Sequence, residues 1–177
     1  MLPVDHPEFF RRPPPPGQSR ESSIRLDAEG RFWHAGEPVR HPGMQAAFAT
    51  WIRRHPDDGR YVLCNGYDWT YFQVDDVPHF VRSVTPVASS EGEALRLALS
   101  DGTEELLDPA SLRLGARDAL YCRVKGGACE ARFTPGAQSA LWPYLAEGEA
   151  GQAQLEIGGR RHDIAPGPPK TGQNPAP

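Results

Sequence analysis

Residues 41–52, H-P-G-M-Q-A-A-F-A-T-W-I, constrain this chain more than any other stretch. Met44, Ala47, Phe48, Trp51 and Ile52 recur at i, i+3, i+4, i+7 and i+8, the spacing that gathers side chains on one face of an α-helix. Pro42 suits the first turn, where a missing N–H costs nothing. Arg53 and Arg54 put positive charge at the end where the helix dipole is negative. Such a helix is expected to lie on a sheet with this stripe down, and Trp33 is expected to pack against its Phe48 and Trp51 face.

The same pattern is written again ninety-three positions later, where residues 134–145 read T-P-G-A-Q-S-A-L-W-P-Y-L. Ala137, Ala140, Leu141, Tyr144 and Leu145 take the places of the first set. A hairpin-like pattern precedes each copy: residues 24–35 with a D-A-E-G turn, and residues 120–133 with K-G-G-A. A strand pattern ending at a glycine turn follows each, at Gly66 and at Gly158. A match that extends across both flanks predicts one β-β-α-β unit used twice. The fold class is therefore α+β, with mostly antiparallel sheets each packed by one helix. The second helix is expected to be short or kinked, because Pro143 inside it removes a backbone hydrogen bond, at ~3 kcal/mol. Glu147 and Glu149 also place negative charge at its C-terminal end.

Hairpins are expected at Asn65-Gly66 and at Asp101-Gly102, two strong short-range turn signals, and at Gly158-Gly159. Residues 89–93, S-S-E-G-E, read as a polar linker. They divide a first repeat, residues 24–88, from a second, residues 89–164. Residues 1–23 hold four consecutive prolines and an isolated Phe9-Phe10 pair without periodicity, so they read as a flexible Pro-rich arm. Such an arm can serve as a polyproline II ligand for a partner. Residues 165–177 read as a second disordered tail.

An apolar fraction of 38% in 177 residues supports a modest core. A net charge of −4 gives no general attraction to nucleic acid or anionic membranes, although a local basic patch leaves nucleic acid open. No stretch approaches the ~18 apolar residues of a membrane helix, and the expected location is the cytoplasm. Cys64, Cys122 and Cys129 have no metal or redox spacing and are expected to be reduced thiols, Cys64 buried in a strand.

No H-E-x-x-H, C-x-x-C, G-x-S-x-G, Walker or dinucleotide motif occurs, so no cofactor and no metal site is expected. The residues left to carry binding chemistry are His34, Arg40 and Asp76 in the first repeat, and Arg117, Tyr121 and Arg123 in the second. His34 precedes a Gly-Glu-Pro break. Asp76 ends a strand beside Asp75, and the two carboxylates would face opposite ways if the strand persisted. Paired guanidinium groups suit phosphate or carboxylate, and tyrosine adds an aromatic face. Each also has a plain structural reading: a satisfied histidine, a carboxylate on backbone N–H groups or on Arg40 or Arg82, solvated arginines.

The motifs G-R-F-W-H-A-G-E-P-V-R at residues 30–40, G-R-Y-V-L at 59–63 and W-T-Y-F-Q-V-D-D-V-P at 69–78 resemble the bacterial family called domain of unknown function 1285. D-G-T-E-E-L-L-D at 101–108 and L-Y-C-R-V at 120–124 resemble its second half. The resemblance spans residues 24–164. It implies a duplicated α+β core, a second domain like a pleckstrin-homology barrel and a ligand site between the domains. It also implies no established catalytic activity, and a role in signal transduction with a nucleotide-like or nucleic-acid-like ligand. The expected function is thus a non-catalytic module that binds a small anionic or nucleotide-like ligand and passes its state to a signalling partner. The alternatives are an enzyme assembled around His34 and Asp76, and a scaffold that uses the Pro-rich arm.

Overall fold

The computed structural model describes residues 6–167 and divides into two compact units, one running up to Asp76 and the other starting at Val77. The first unit contains α1 (Pro7–Phe10), β1 (Glu21–Leu26), β2 (Phe32–His34), β3 (Glu37–Pro38), α2 (Pro42–Trp51), β4 (Ile52–Arg54), β5 (Tyr61–Cys64) and β6 (Trp69–Val74). The strands form one six-stranded sheet in the order β3-β2-β1-β6-β5-β4. Neighbours are antiparallel except β1 and β6, which run parallel.

All four residues of β5 are buried, so both faces of this sheet are covered. Helix α2 covers one face, where the Phe32 ring lies 5.3 Å from Phe48 and 6.3 Å from Phe72. Val62, Cys64, Trp69 and Tyr71 point the other way, as strand alternation requires, and there they meet Phe9 and Phe10. The segment expected to be a flexible arm therefore gives Phe9 and Phe10 to the core, while the residues that follow them lie along the surface. Arg11 donates to both oxygens of Asp57, at 3.1 and 2.8 Å. Arg20 donates to the carbonyls of Arg12, Pro13 and Trp69. An unperiodic segment is ordered because two aromatic side chains fill a surface that nothing else covers.

The helix forms where expected, with His41 as its cap and Arg53 donating to the Thr50 carbonyl at 2.9 Å. Its buried face is rotated from the expected one. Ala49 is its buried residue, Phe48 and Trp51 are half-buried, and Met44 is 44% exposed. A small residue toward the sheet lets the helix approach closely, and Gln45 lies against Val39, donating to its carbonyl at 2.6 Å. The partner of Phe48 is Phe32, not Trp33. The strand points Phe32 inward and Trp33 outward, where Trp33 donates to Asp27 Oδ2 at 2.8 Å. Burial opposes ionisation of Asp27, but hydrogen bonds from the Arg31 backbone, Trp33 and the Arg31 side chain hold its carboxyl below the usual range.

The second unit contains β7 (His79–Ser89), β8 (Gly92–Leu99), β9 (Glu104–Leu106), β10 (Arg113–Leu114), β11 (Leu120–Val124), β12 (Cys129–Phe133), α3 (Pro135–Leu141), β13 (Leu145–Glu147), β14 (Ala153–Ile157), β15 (Arg160–Asp163) and β16 (Ala165–Pro166). Seven strands form one sheet, in the order β16-β10-β11-β12-β7-β8-β9, and β13-β14-β15 form another. The β12–β7 and β10–β16 pairs are parallel. Leu95, Leu97, Leu120, Val124, Leu141 and Leu155 centre its core.

Residues 89–93 are not a linker. Ser89 pairs with Gly92 at the tip of the β7–β8 hairpin, so ladder pairing continues on both sides and the boundary between units falls earlier, after Asp76. Pro143 acts as expected: α3 stops at Leu141 and a 3₁₀ turn, Trp142–Tyr144, carries the proline. Of the expected C-terminal tail, Ala165–Pro166 is instead strand β16, paired to β10 because its backbone finds an open sheet edge; residues 168–177 lie outside the described residues.

Candidate functional site

In the second unit the tip of the β7–β8 hairpin meets the turn between β14 and β15. The Ser89 hydroxyl donates to the Gly92 carbonyl at 2.7 Å and accepts from the Glu91 N–H at 3.2 Å, which fixes the tip. A Cβ on Gly158 would stand 3.0 Å from the Glu93 carbonyl, and one on Gly92 would stand 3.3 Å from the Gly158 Cα. Both glycines also have positive φ, 58° and 113°. Only glycine satisfies both demands. Two backbones thus meet at the border of a cleft of about 330 Å³, within the size range of small-molecule sites.

The cleft has an apolar floor and a polar rim. Leu95, Leu107 and Ile157 line it from the buried side, with Ala94, Pro109 and the half-exposed Leu106 beside them. Ser89, Ser90, Glu91, Glu93, Arg160 and His162 supply the polar lining. Arg160 and His162 alternate along β15 and stand opposite Ile157 and Leu155 of β14, so one strand face carries both to the cleft. Arg160 Nη1 lies 3.6 Å from Glu91 Oε2, with both side chains exposed. Burial and then the neighbouring Glu93, which also accepts its hydrogen bond, raise the pKa of Tyr144.

The first unit holds a smaller concavity, about 150 Å³, lined by Ile24, Phe48, Trp51, Leu63 and Thr70 with Asn65, Asp68 and Trp69. Its most concentrated polar network lies in the β4–β5 turn and on β6. His55 is buried, accepts the Asp57 N–H at Nδ1 and lies 3.5 Å from Asp58 Oδ1. The Tyr71 hydroxyl donates to Asp58 Oδ2 at 2.8 Å. The Arg60 guanidinium lies 3.7 Å from the centre of the Tyr71 ring and forms two 2.8 Å bonds to Glu21. Burial and Asp58 push the Tyr71 phenol up to about 12, so it is a hydrogen-bond donor and no base near neutrality. This network holds β1, β6 and the turn together.

The six residues named from the sequence lie outside the cleft lining. His34 and Arg40 are exposed, His34 at the end of β2 opposite Glu37, and Asp76 is buried beyond the end of β6. Arg117 is exposed in a turn with φ 55°. Arg123 is exposed on β11, its N–H donating to Ser111. Tyr121 is buried beneath Arg113, whose guanidinium carbon lies 4.1 Å from the ring centre. Sequence reasoning missed the cleft because residues 89–93 read as a linker and residues 158–162 as a plain turn and strand. The alternation of Arg160 and His162 beside Leu155 and Ile157 was the available signal.

Cys122, in the second unit's core, is no activated nucleophile. Burial pushes the Cys122 thiol up to about 12, with Glu105, Asp108 and Glu130 adding to the effect. Cys64 is buried in β5, as expected, and none of the three cysteines forms a disulfide. Among the described residues no group of three or more histidine, cysteine, aspartate and glutamate side chains is placed to hold a metal ion, and no helix is long and apolar enough to cross a membrane.

No protein-family model and no curated protein matches the chain. Two solved structures share its fold. A DUF1285 family protein from Silicibacter pomeroyi is 18% identical, with a TM-score of 0.65 over 82% of this chain and 80% of its own. A DUF1285 family protein from Shewanella baltica is 20% identical, with a TM-score of 0.52 over 69% of this chain and 91% of its own.

Proposed function

We propose that this chain is a DUF1285 family protein and a non-catalytic ligand-binding module, its ligand held in the cleft of the second unit and its state passed to a signalling partner. The family reading draws on the shared fold and on the motifs at residues 30–40, 59–63 and 69–78. The single observation that carries the binding reading is the cleft itself: about 330 Å³ of concavity with a buried apolar floor and polar groups at its rim. An internal duplication belongs to the same reading. Helix α2 and strand β4 start at residues 42 and 52, and α3 and β13 start at 135 and 145, each pair ninety-three positions apart and each followed by an antiparallel hairpin. The likeness of the second unit to a pleckstrin-homology barrel is favoured by its seven-stranded sheet with one α-helix, although two of its strand pairs are parallel.

The test is a thermal-shift screen of small metabolites on the full chain and on Leu106→Trp. Leu106 is 52% exposed at the cleft, so a tryptophan there blocks the concavity at little expense to folding. A true ligand at ~100 times its Kd stabilises the wild-type protein by ~2.7 kcal/mol. That gain disappears in Leu106→Trp. A gain that survives the substitution places the ligand elsewhere and defeats the proposal.

A further inference from the structure

Resting on the cleft reading above, we infer that the ligand is a small amphiphile with an apolar, ring-sized body and a cationic head, such as an ammonium or amidinium group. Two carboxylates stand at the rim, Glu91 and Glu93, against one guanidinium, Arg160; His162 is the remaining titratable group in the lining. Arg160 does not neutralise the rim firmly. It is 3.6 Å from Glu91 and the two side chains are 69% and 78% exposed, the geometry of a weak, solvent-screened pair that a bound cation can replace.

Glu93 is the better anchor. Its carboxylate accepts a hydrogen bond from Tyr144, and its backbone carbonyl faces Gly158 so closely that a Cβ there would stand 3.0 Å away. A cationic head at Glu93 gains charge-assisted hydrogen bonds. An anionic head at the same place meets two like charges, Glu91 and Glu93, with Arg160 held on the Glu91 side of the rim. The hydroxyl of Ser89 is already engaged with Gly92 and Glu91, so it adds nothing to anion binding. Below the rim, Leu95, Leu107 and Ile157 offer no hydrogen-bonding side chains, so the part of the ligand that descends is apolar. The arginines that suggested an anionic ligand from the sequence, Arg40, Arg117 and Arg123, lie outside this lining.

The experiment is an NMR titration of the full chain with three probes sharing one phenyl body: 2-phenylethylammonium, 3-phenylpropanoate and the neutral 3-phenylpropanol. The ammonium is expected to bind about tenfold more tightly than the carboxylate, with the alcohol between them. Glu93→Gln keeps the hydrogen bond from Tyr144 but removes the charge, and it is expected to bring the ammonium to the affinity of the alcohol. The unliganded spectrum of this variant reports that it is folded. Tighter binding of the carboxylate, or ammonium binding indifferent to Glu93→Gln, overturns the cationic head while leaving the cleft in place. If none of the probes binds, or if all bind Leu106→Trp as well as wild type, the cleft reading fails together with the inference.

Discussion

Helices α2 and α3 begin alike, with a proline at the first position and a side-chain cap before it, yet they bury themselves differently. Helix α2 has ten residues, an unbroken apolar pattern and one buried residue, Ala49. Helix α3 has seven residues, ends just before Pro143, and buries Ala137 and Leu141 to 1% and 0% exposure. The copy with the poorer helical sequence is the better packed. Its cap explains part of the difference: the Thr134 hydroxyl accepts from Ala137 and donates to the Val81 carbonyl at 3.0 Å, tying the helix to β7. Intrinsic propensity decides where a helix starts and stops, whereas tertiary contacts decide how much its face contributes.

The difference extends to what else each sheet needs. The first sheet is closed on its second face by Phe9 and Phe10, so the largest expected effect lies outside either helix. Phe9→Ala should destabilise the protein by ~3–5 kcal/mol in denaturant unfolding, since the ring is 1% exposed. A negligible change would return residues 6–23 to the status of a loose arm. Next in size is Leu141→Ala, expected at ~2–5 kcal/mol, set against Met44→Ala, which is 44% exposed and expected below ~0.5 kcal/mol. Equal losses would mean that the two helices are packed alike after all.

The smallest effect concerns Asp27, in the turn between β1 and β2 of the first unit. Its carboxyl is held below the usual value of about 3.9 by Arg31 and Trp33 despite its burial. Such a group contributes stability above its unfolded-state pKa and loses it as pH falls through the lower folded-state value. The stability difference between wild type and Asp27→Asn should therefore be constant near neutrality and shrink below about pH 4. A difference that stayed level down to pH 2 would mean that the charge on Asp27 contributes nothing.

Features set by a few neighbouring residues could be read in advance. The start of α2 at Pro42, the hairpin between β8 and β9 around Asp101-Gly102, the turn at Gly158-Gly159 and the early end of α3 at Pro143 all follow from local backbone chemistry. Two kinds of feature could not. One was register: a shift of one position decides whether Phe32 or Trp33 faces the helix, and both are aromatic. The other was pairing over distance. Phe9 reaches Val62 and Trp69 across more than fifty residues, and no periodicity announces it. A clue existed in Y-V-L-C at residues 61–64, because a strand apolar on both faces needs a second cover. The cleft failed to show for the same reason, being built from a hairpin tip and a turn some seventy positions apart.

The proposed function puts the ligand in the second unit's cleft and not at His34, Arg40, Arg117 or Arg123. Amide chemical-shift mapping on the isotopically labelled full chain, with a ligand found in the screen, tests it most directly. Shifts are expected to gather at Glu93, Ala94, Leu106, Leu107, Gly158 and His162. Shifts gathered instead at His34, Arg40, Arg117 and Arg123, with the cleft silent, would contradict it.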